Sequence, residues 1–123
     1  MVRMRIHHIA LRTTDTARLE RFYAGVLGLR IVRRDDARGS VWLAAGEAVI
    51  MLERAAGGGG GADDGEPGIP AGTKELLAFA VDDLAPWRNR VDVEARTEHT
   101  LYFRDPDGRR VAVSAYRLTS PAR

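Results

Sequence analysis

Apolar residues in this chain alternate in some stretches and recur at helical spacing in others, and the switches between the two periods mark out its elements. Ile6, Ile9 and Leu11 alternate loosely within Arg5–Thr13 and predict a first strand. Thr14 or Asp15 then offers a short side-chain oxygen to a free backbone NH, which caps a helix. Leu19, Phe22, Tyr23, Val26 and Leu27 follow at helical spacing and define its buried face. Gly28 can take the positive φ that ends it. Leu29–Arg34, Val41–Ala45 and Ala48–Glu53 predict three more strands, the last two joined by a Gly46-Glu47 turn.

Ala55–Thr73 interrupts both periods with a run of five glycines, three acidic residues, Pro67 and Pro70. Such a stretch buries too little apolar surface to order itself and reads as a flexible linker between a first module, residues 1–54, and a second, residues 74–123. A phosphate-binding loop needs a Lys-Ser/Thr and a helix after its glycines, and neither follows.

Beyond the linker the plan repeats. Leu76–Val81 predicts a strand. Asp82 or Asp83 caps a short helix with Leu84 and Trp87 facing inward and Pro86 tolerated in its first turn. Val91–Ala95, Thr100–Arg104 and Arg110–Tyr116 supply three more strands. His8-Ile9-Ala10-Leu11, with Asp15 seven residues after His8, aligns with Leu76-Leu77-Ala78-Phe79, with Asp83 seven after Leu76. The clearest hairpin is LYFRDPDGRRVAV: Leu101, Phe103, Val111 and Val113 fall on one face. Asp105, Pro106 and Gly108 suit successive corners of a type I turn. Each half has one sheet and one helix, so two such sheets side by side would bury faces and leave a trough between them.

Composition narrows the function classes. With 123 residues, 45% hydrophobic and 29% charged, the chain has room for one domain built from two half-size modules. No apolar run approaches the roughly 20 residues of a membrane helix, and the N-terminus lacks a signal-peptide core. The absence of cysteine excludes disulfides, thiolate metal sites and a cysteine nucleophile. A cytoplasmic protein that engages no membrane is expected. The net charge is +2 and acids interrupt the basic residues, as Asp35 and Asp36 do between Arg33, Arg34 and Arg38, so no nucleic-acid stripe forms.

The paired strand-helix-three-strand halves resemble the vicinal oxygen chelate superfamily of glyoxalases, bleomycin- and fosfomycin-resistance proteins and extradiol dioxygenases. The resemblance rests on HHIALRTTD, FYAGVLGL, LLAFAVDDL and YFRDPDGRRVAV, and spans Met4 to about Tyr116. It implies an α+β fold of two βαβββ modules whose mixed sheets form an open, barrel-like cleft, often floored by a divalent metal. The metal ligands of relatives fall on four positions, here His8, Met51, Leu76 and Ala112. Only His8 keeps a suitable donor, since Leu and Ala offer none and a thioether suits soft metals. The expected metal ligand set is therefore none, with a divalent metal as the alternative cofactor.

The candidate cleft residues are His8, Arg12, Trp42, Met51, Glu53, Leu76, Ala112 and Ser114. His8 and Glu53 form a minimal acid/base pair should a one-pleat shift in register bring them together. Arg12, on the same strand face as His8, is an ion-pair candidate for Glu53. His7 is expected on the opposite face, His99 at an exposed turn, and Tyr102 and Phe103 on opposite faces of their strand. The leading expectation is a metal-free relative of the bleomycin-resistance branch that binds a small organic molecule in an apolar cleft. Bleomycin itself, a polycation, would favour a more acidic one. The alternatives are a metal-dependent lyase/isomerase or dioxygenase, and a non-catalytic partner-binding module. A homodimer is expected from the resemblance.

Overall fold

A computed structural model describes residues 4–55 and 75–117. The chain divides into two compact units, Met1–Pro67 and Gly68–Arg123. The sequence-predicted linker, apart from Ala55, lies outside the described residues.

In the first unit β1 (His8–Thr13) leads to α1 (Thr16–Glu20), which continues as a wider, π-type helical segment over Arg21–Val26. Asp15 is the cap: its carboxylate accepts the Arg18 backbone NH at 3.0 Å, and buried Thr13 accepts the Asp15 NH through Oγ1 at 3.1 Å. The widening shows in the Leu27 NH, which donates to the Phe22 carbonyl five residues back at 2.9 Å. Gly28 adopts φ +82° and the Leu29 NH closes onto the Tyr23 carbonyl at 3.0 Å, so the helix ends where the glycine predicted. Leu19, Tyr23 and Leu27 are buried, whereas Phe22 and Val26 stay partly exposed.

Three strands follow, β2 (Arg30–Asp35), β3 (Ser40–Ala45) and β4 (Ala48–Arg54), in a mixed sheet of order β1-β4-β3-β2 with β1 parallel to β4. Register sets Ile9 beside Ile50 and Leu43, and Leu11 beside Leu52 and Val41. These residues form the apolar face that shares the core with the helix. At Val32 the β2–β3 register shifts by one residue. This bulge sends Arg34 to the helix side, where its guanidinium donates to both Glu20 carboxylate oxygens at 2.9 and 3.0 Å, and Arg33 to the other face.

The second unit repeats the strand plan with β5 (Leu77–Ala80), β6 (Ala95–Arg96), β7 (Thr100–Arg104) and β8 (Arg110–Ser114), ordered β5-β8-β7-β6 with β5 parallel to β8. Its crossover is far smaller than the first. The predicted helix is a single 3-10 turn, Ala85–Trp87, with Pro86 in its first turn, where its missing NH costs no intrahelical bond. Asp83 accepts the Ala85 NH at 3.1 Å. Leu84 is buried as expected, but Trp87 is only half-buried and carries the Arg90 guanidinium 4.9 Å from its ring centre. The strand expected over Val91–Ala95 shrinks to Ala95–Arg96.

The β7–β8 hairpin matches its pattern. Gly108 has φ +94° and donates to the Asp105 carbonyl at 2.9 Å. Buried Asp105 accepts the backbone NH groups of Asp107 and Arg109 through Oδ1, both at 2.9 Å, and the Arg109 guanidinium through Oδ2 at 3.1 Å. Phe103 faces the core and Tyr102 the opposite side. Among the described residues no helix is long and apolar enough to cross a membrane. The architecture is α+β, two βαβββ-type units with mixed four-stranded sheets.

Candidate functional site

Each sheet has one face committed to the apolar core, which leaves the alternate residues to form a second face. In the first unit that face is read in rows across β1, β4, β3 and β2. His8, Val49, Ala44 and Arg30 make one row. Ala10, Met51, Trp42 and Arg33 make the next, and Arg12, Glu53, Ser40 and Asp35 the third. The middle of this face is small and apolar, and its borders carry charge and aromatic rings.

Trp42 is the centre of the arrangement. Its ring centre lies 6.1 Å from that of His8, which reaches across β4, with the planes inclined by 33°. From the other side the Arg33 guanidinium sits over the ring at 5.6 Å, a cation–π contact. His7 joins the cluster rather than turning away. Its Nδ1 lies 2.9 Å from that of His8, so one imidazole donates and the other accepts. The expected opposite facing fails because residue 7 precedes the regular strand, where strict alternation does not yet hold. Next to this pair Arg5, Ile6, His7, Glu47, Ala48 and Val49 line an open groove of about 680 Å³, continuous with the sheet face at Val49.

The register separates the proposed acid/base pair. Glu53 lies beside Arg12, four residues along the strand from the Val49 position that faces His8. At about 3.3 Å per residue the separation is roughly 13 Å, too far for direct proton exchange. Arg12 and Glu53 are strand neighbours, the arrangement an ion pair between them would require.

In the second unit Ala78, Ala112 and Tyr102 form the corresponding middle row, with Ala80, Ser114 and Thr100 beside them. Ala10 pairs with Met51 and Ala78 with Ala112, so the structure keeps the register implied by the internal repeat. Tyr102 is therefore the counterpart of Trp42, and it too carries an arginine: Arg110 stacks over its ring at 5.4 Å. Ser114 and Thr100 share a hydroxyl hydrogen bond of 2.8 Å. Leu76, just before β5, is exposed, and Ala112 is fully buried. Arg104 donates to both oxygens of Glu94 at 2.8 and 3.1 Å, and this hydrogen bonding holds the Glu94 carboxyl below its usual range and raises Arg104. His99 is exposed, 3.6 Å from Glu98.

Among the described residues no three His, Asp or Glu side chains gather into a set that could hold a metal ion. Met51 stands beside Ala10 and Trp42, and Ala112 beside Ala78 and Tyr102, so neither row holds a His, Asp or Glu beside the strand position where relatives carry a ligand.

Two arginines, Arg33 over Trp42 in the first unit and Arg110 over Tyr102 in the second, were not among the residues expected at the site. Regular alternation along β2 would give Val32 the place that Arg33 takes, so only the bulge reveals it. Arg110 is legible in principle, since it lies two residues before Ala112 on the same face.

Comparisons with known proteins agree with this architecture. A family model described as the Glyoxalase/Bleomycin resistance protein/Dioxygenase superfamily matches residues 5–113. Comparison with curated protein sequences gives no match. Among solved structures, a fosfomycin resistance protein from Mesorhizobium loti aligns with TM-score 0.73 at 18% identity, covering 96% of this chain and 95% of its own. A lactoylglutathione lyase from Agrobacterium tumefaciens aligns with TM-score 0.65 at 22% identity, covering 91% and 93%. An antibiotic-binding protein from a Streptomyces strain aligns with TM-score 0.67 at 17% identity, covering 93% and 97%. At these identities the likeness is one of fold.

Proposed function

The chain belongs to the glyoxalase/bleomycin resistance protein/dioxygenase superfamily, and from that premise we propose that it binds a small organic molecule on the open face of its first sheet, without a resident divalent ion. The observation that carries this reading is the apolar middle of that face, where Met51 stands at a position at which relatives carry a metal ligand. Ala10, Met51, Val49 and Ala44 form a floor, and the rings of His8 and Trp42 stand over it. An apolar floor with a few polar groups at its border suits recognition of an organic guest better than coordination of an ion.

His8 offers a hydrogen bond at one end of the floor, and Arg12 and Glu53 a polar boundary at the other. Their separation supports binding over proton-transfer chemistry between His8 and Glu53. The test has two parts. Metal analysis of untagged protein dialysed separately against Zn²⁺, Ni²⁺, Mn²⁺ and Fe²⁺ is expected to give well under one ion per chain. Thermal-shift screening with aromatic and aliphatic small molecules is expected to give hits that Met51→Glu weakens by placing a charge on the floor. One tightly held ion per chain, lost in His8→Ala, would overturn the metal-free reading.

A further inference from the structure

The rings on the two open faces are not bare. Trp42 has Arg33 over it at 5.6 Å, and Tyr102, at the matching position of the other unit, has Arg110 over it at 5.4 Å. The π-face that would attract a cationic guest is thus already engaged by a guanidinium in each unit. A guanidinium stacked on a ring still presents in-plane N–H donors along its edge, in the fork geometry that matches a carboxylate. Charge on the first open face points the same way. Arg12, Arg30 and Arg33 share its rows with Glu53 and Asp35, three positive groups to two negative. Asp35 is already engaged by Arg38 at 3.8 Å and by its backbone NH at 3.3 Å. The floor between these charges is apolar, and the inclined rings of His8 and Trp42 border it.

Resting on the small-molecule reading above, we infer that the ligand is a flat aromatic anion, such as an aryl carboxylate or phenolate. Its ring lies on the Val49–Met51 floor against Trp42, and its negative group meets Arg33.

The experiment uses the full chain with Trp87→Phe, which leaves Trp42 as the single tryptophan, and follows calorimetry and indole fluorescence together. The probes are 2-naphthoate, 2-naphthamide, 2-naphthylmethylammonium and cyclohexanecarboxylate. Naphthoate is expected to quench Trp42 and to bind at least about tenfold more tightly than the amide, the smallest gain expected of a charge-assisted hydrogen bond. The ammonium is expected to bind weakest of the aromatics, and cyclohexanecarboxylate more weakly than naphthoate. Arg33→Gln should bring naphthoate and naphthamide to the same affinity while circular dichroism stays unchanged. Equal or tighter binding of the ammonium, or a naphthoate preference that survives Arg33→Gln, would overturn the inference. If non-aromatic or cationic compounds from the thermal-shift panel bind and these aromatic anions do not, the inference fails alone. If no small organic molecule binds, the binding reading fails with it.

Discussion

The two units run their strands in the same order and register, yet what crosses from the first strand to the second differs several-fold in size. In the first, Thr16–Val26 winds through two helical segments and buries Leu19 and Tyr23 completely. In the second, the crossover is one 3-10 turn, Ala85–Trp87, and Leu84 at its start is the buried residue. The parallel β1–β4 and β5–β8 pairings survive this difference. The aromatic at each third strand also stays beside the matched fourth-strand position, Trp42 by Met51 and Tyr102 by Ala112. Strand pairing register, bulge included, therefore fixes what the second faces of the sheets present, and the crossover is free to vary. A consequence is that the first unit's helical contacts should dominate its stability, whereas the second should depend more on its hairpin.

The sharpest way to break this contrast is to truncate each crossover. Tyr23→Ala removes a fully buried ring and is expected to cost about 3–5 kcal/mol, the range for large aromatic truncations. Leu84→Ala should cost about 2 kcal/mol, the low end for leucine, since its short turn relaxes more easily. Chemical denaturation of the two variants checks the order. A Leu84 loss equal to that of Tyr23 would show the small crossover to be as structural as the large one.

The hairpin gives the next largest effect. Asp105 satisfies two backbone NH groups and one guanidinium from a position 3% exposed. Asp105→Ala leaves those donors without their acceptor and is expected to cost roughly 2–3 kcal/mol. Asp105→Asn keeps an oxygen for the NH groups and loses the charge toward Arg109, so about 1 kcal/mol is expected. Melting curves of both variants separate the backbone role from the charge role. A larger loss in Asn than in Ala would refute the backbone assignment.

Much of this organisation is legible in the sequence, for identifiable reasons. Turn and cap chemistry is local, so Asp15, Gly28 and the Asp105–Gly108 turn could be placed from a few neighbours. The alignment of His8–Leu11 with Leu76–Phe79 is legible as a repeat, and the structure pairs its matched alanines alike, Ala10 with Met51 and Ala78 with Ala112. What escapes are effects of one residue in register. The bulge at Val32 exchanges the faces of Arg33 and Arg34, and no propensity marks it. The His7–His8 contact arises because the chain enters β1 irregularly, and alternation alone predicts the reverse. The second crossover is shorter than expected because Leu84 and Trp87, two apolar residues at helical spacing, cannot report how many turns follow them.

The two caps sharpen the comparison at smaller scale. Asp15 holds the first turn of the longer crossover, and Asp15→Ala is expected to cost about 1 kcal/mol. Asp83 serves a turn of only three residues through the Ala85 NH, and Asp83→Ala should cost less than half as much. Hydrogen exchange offers a second readout. Loss of Asp15 should raise exchange across Leu19–Leu27, whereas loss of Asp83 should stay confined to its own turn.

Among the described residues each unit carries a bidentate carboxylate–arginine pair, and here the expected effect is smallest. Glu20 joins the end of α1 to Arg34 of β2, and the hydrogen bond from Arg34 holds its carboxyl below the ordinary value of 4.5. A depressed folded-state pKa contributes stability that is fully present above the unfolded value and disappears as pH falls through the folded one. Glu20→Gln is therefore expected to lose about 0.5 kcal/mol near neutral pH, a figure set by the solvent exposure of Arg34, and to match the parent once the carboxylate is protonated in both states. Added salt should shrink the neutral-pH difference as well. Glu94 follows the same sign, its carboxyl lowered by Arg104, but it stands at the last residue before β6 and ties the end of that connection to β7, with no helical segment involved. Stability curves for the two glutamine variants from pH 3 to 7 distinguish the pairs. If the Glu20 pair fastens the crossover to the sheet, only its variant should also raise exchange in Arg21–Val26. Equal exchange in both would mean the pair is surface decoration and the first crossover is held by Leu19 and Tyr23 alone.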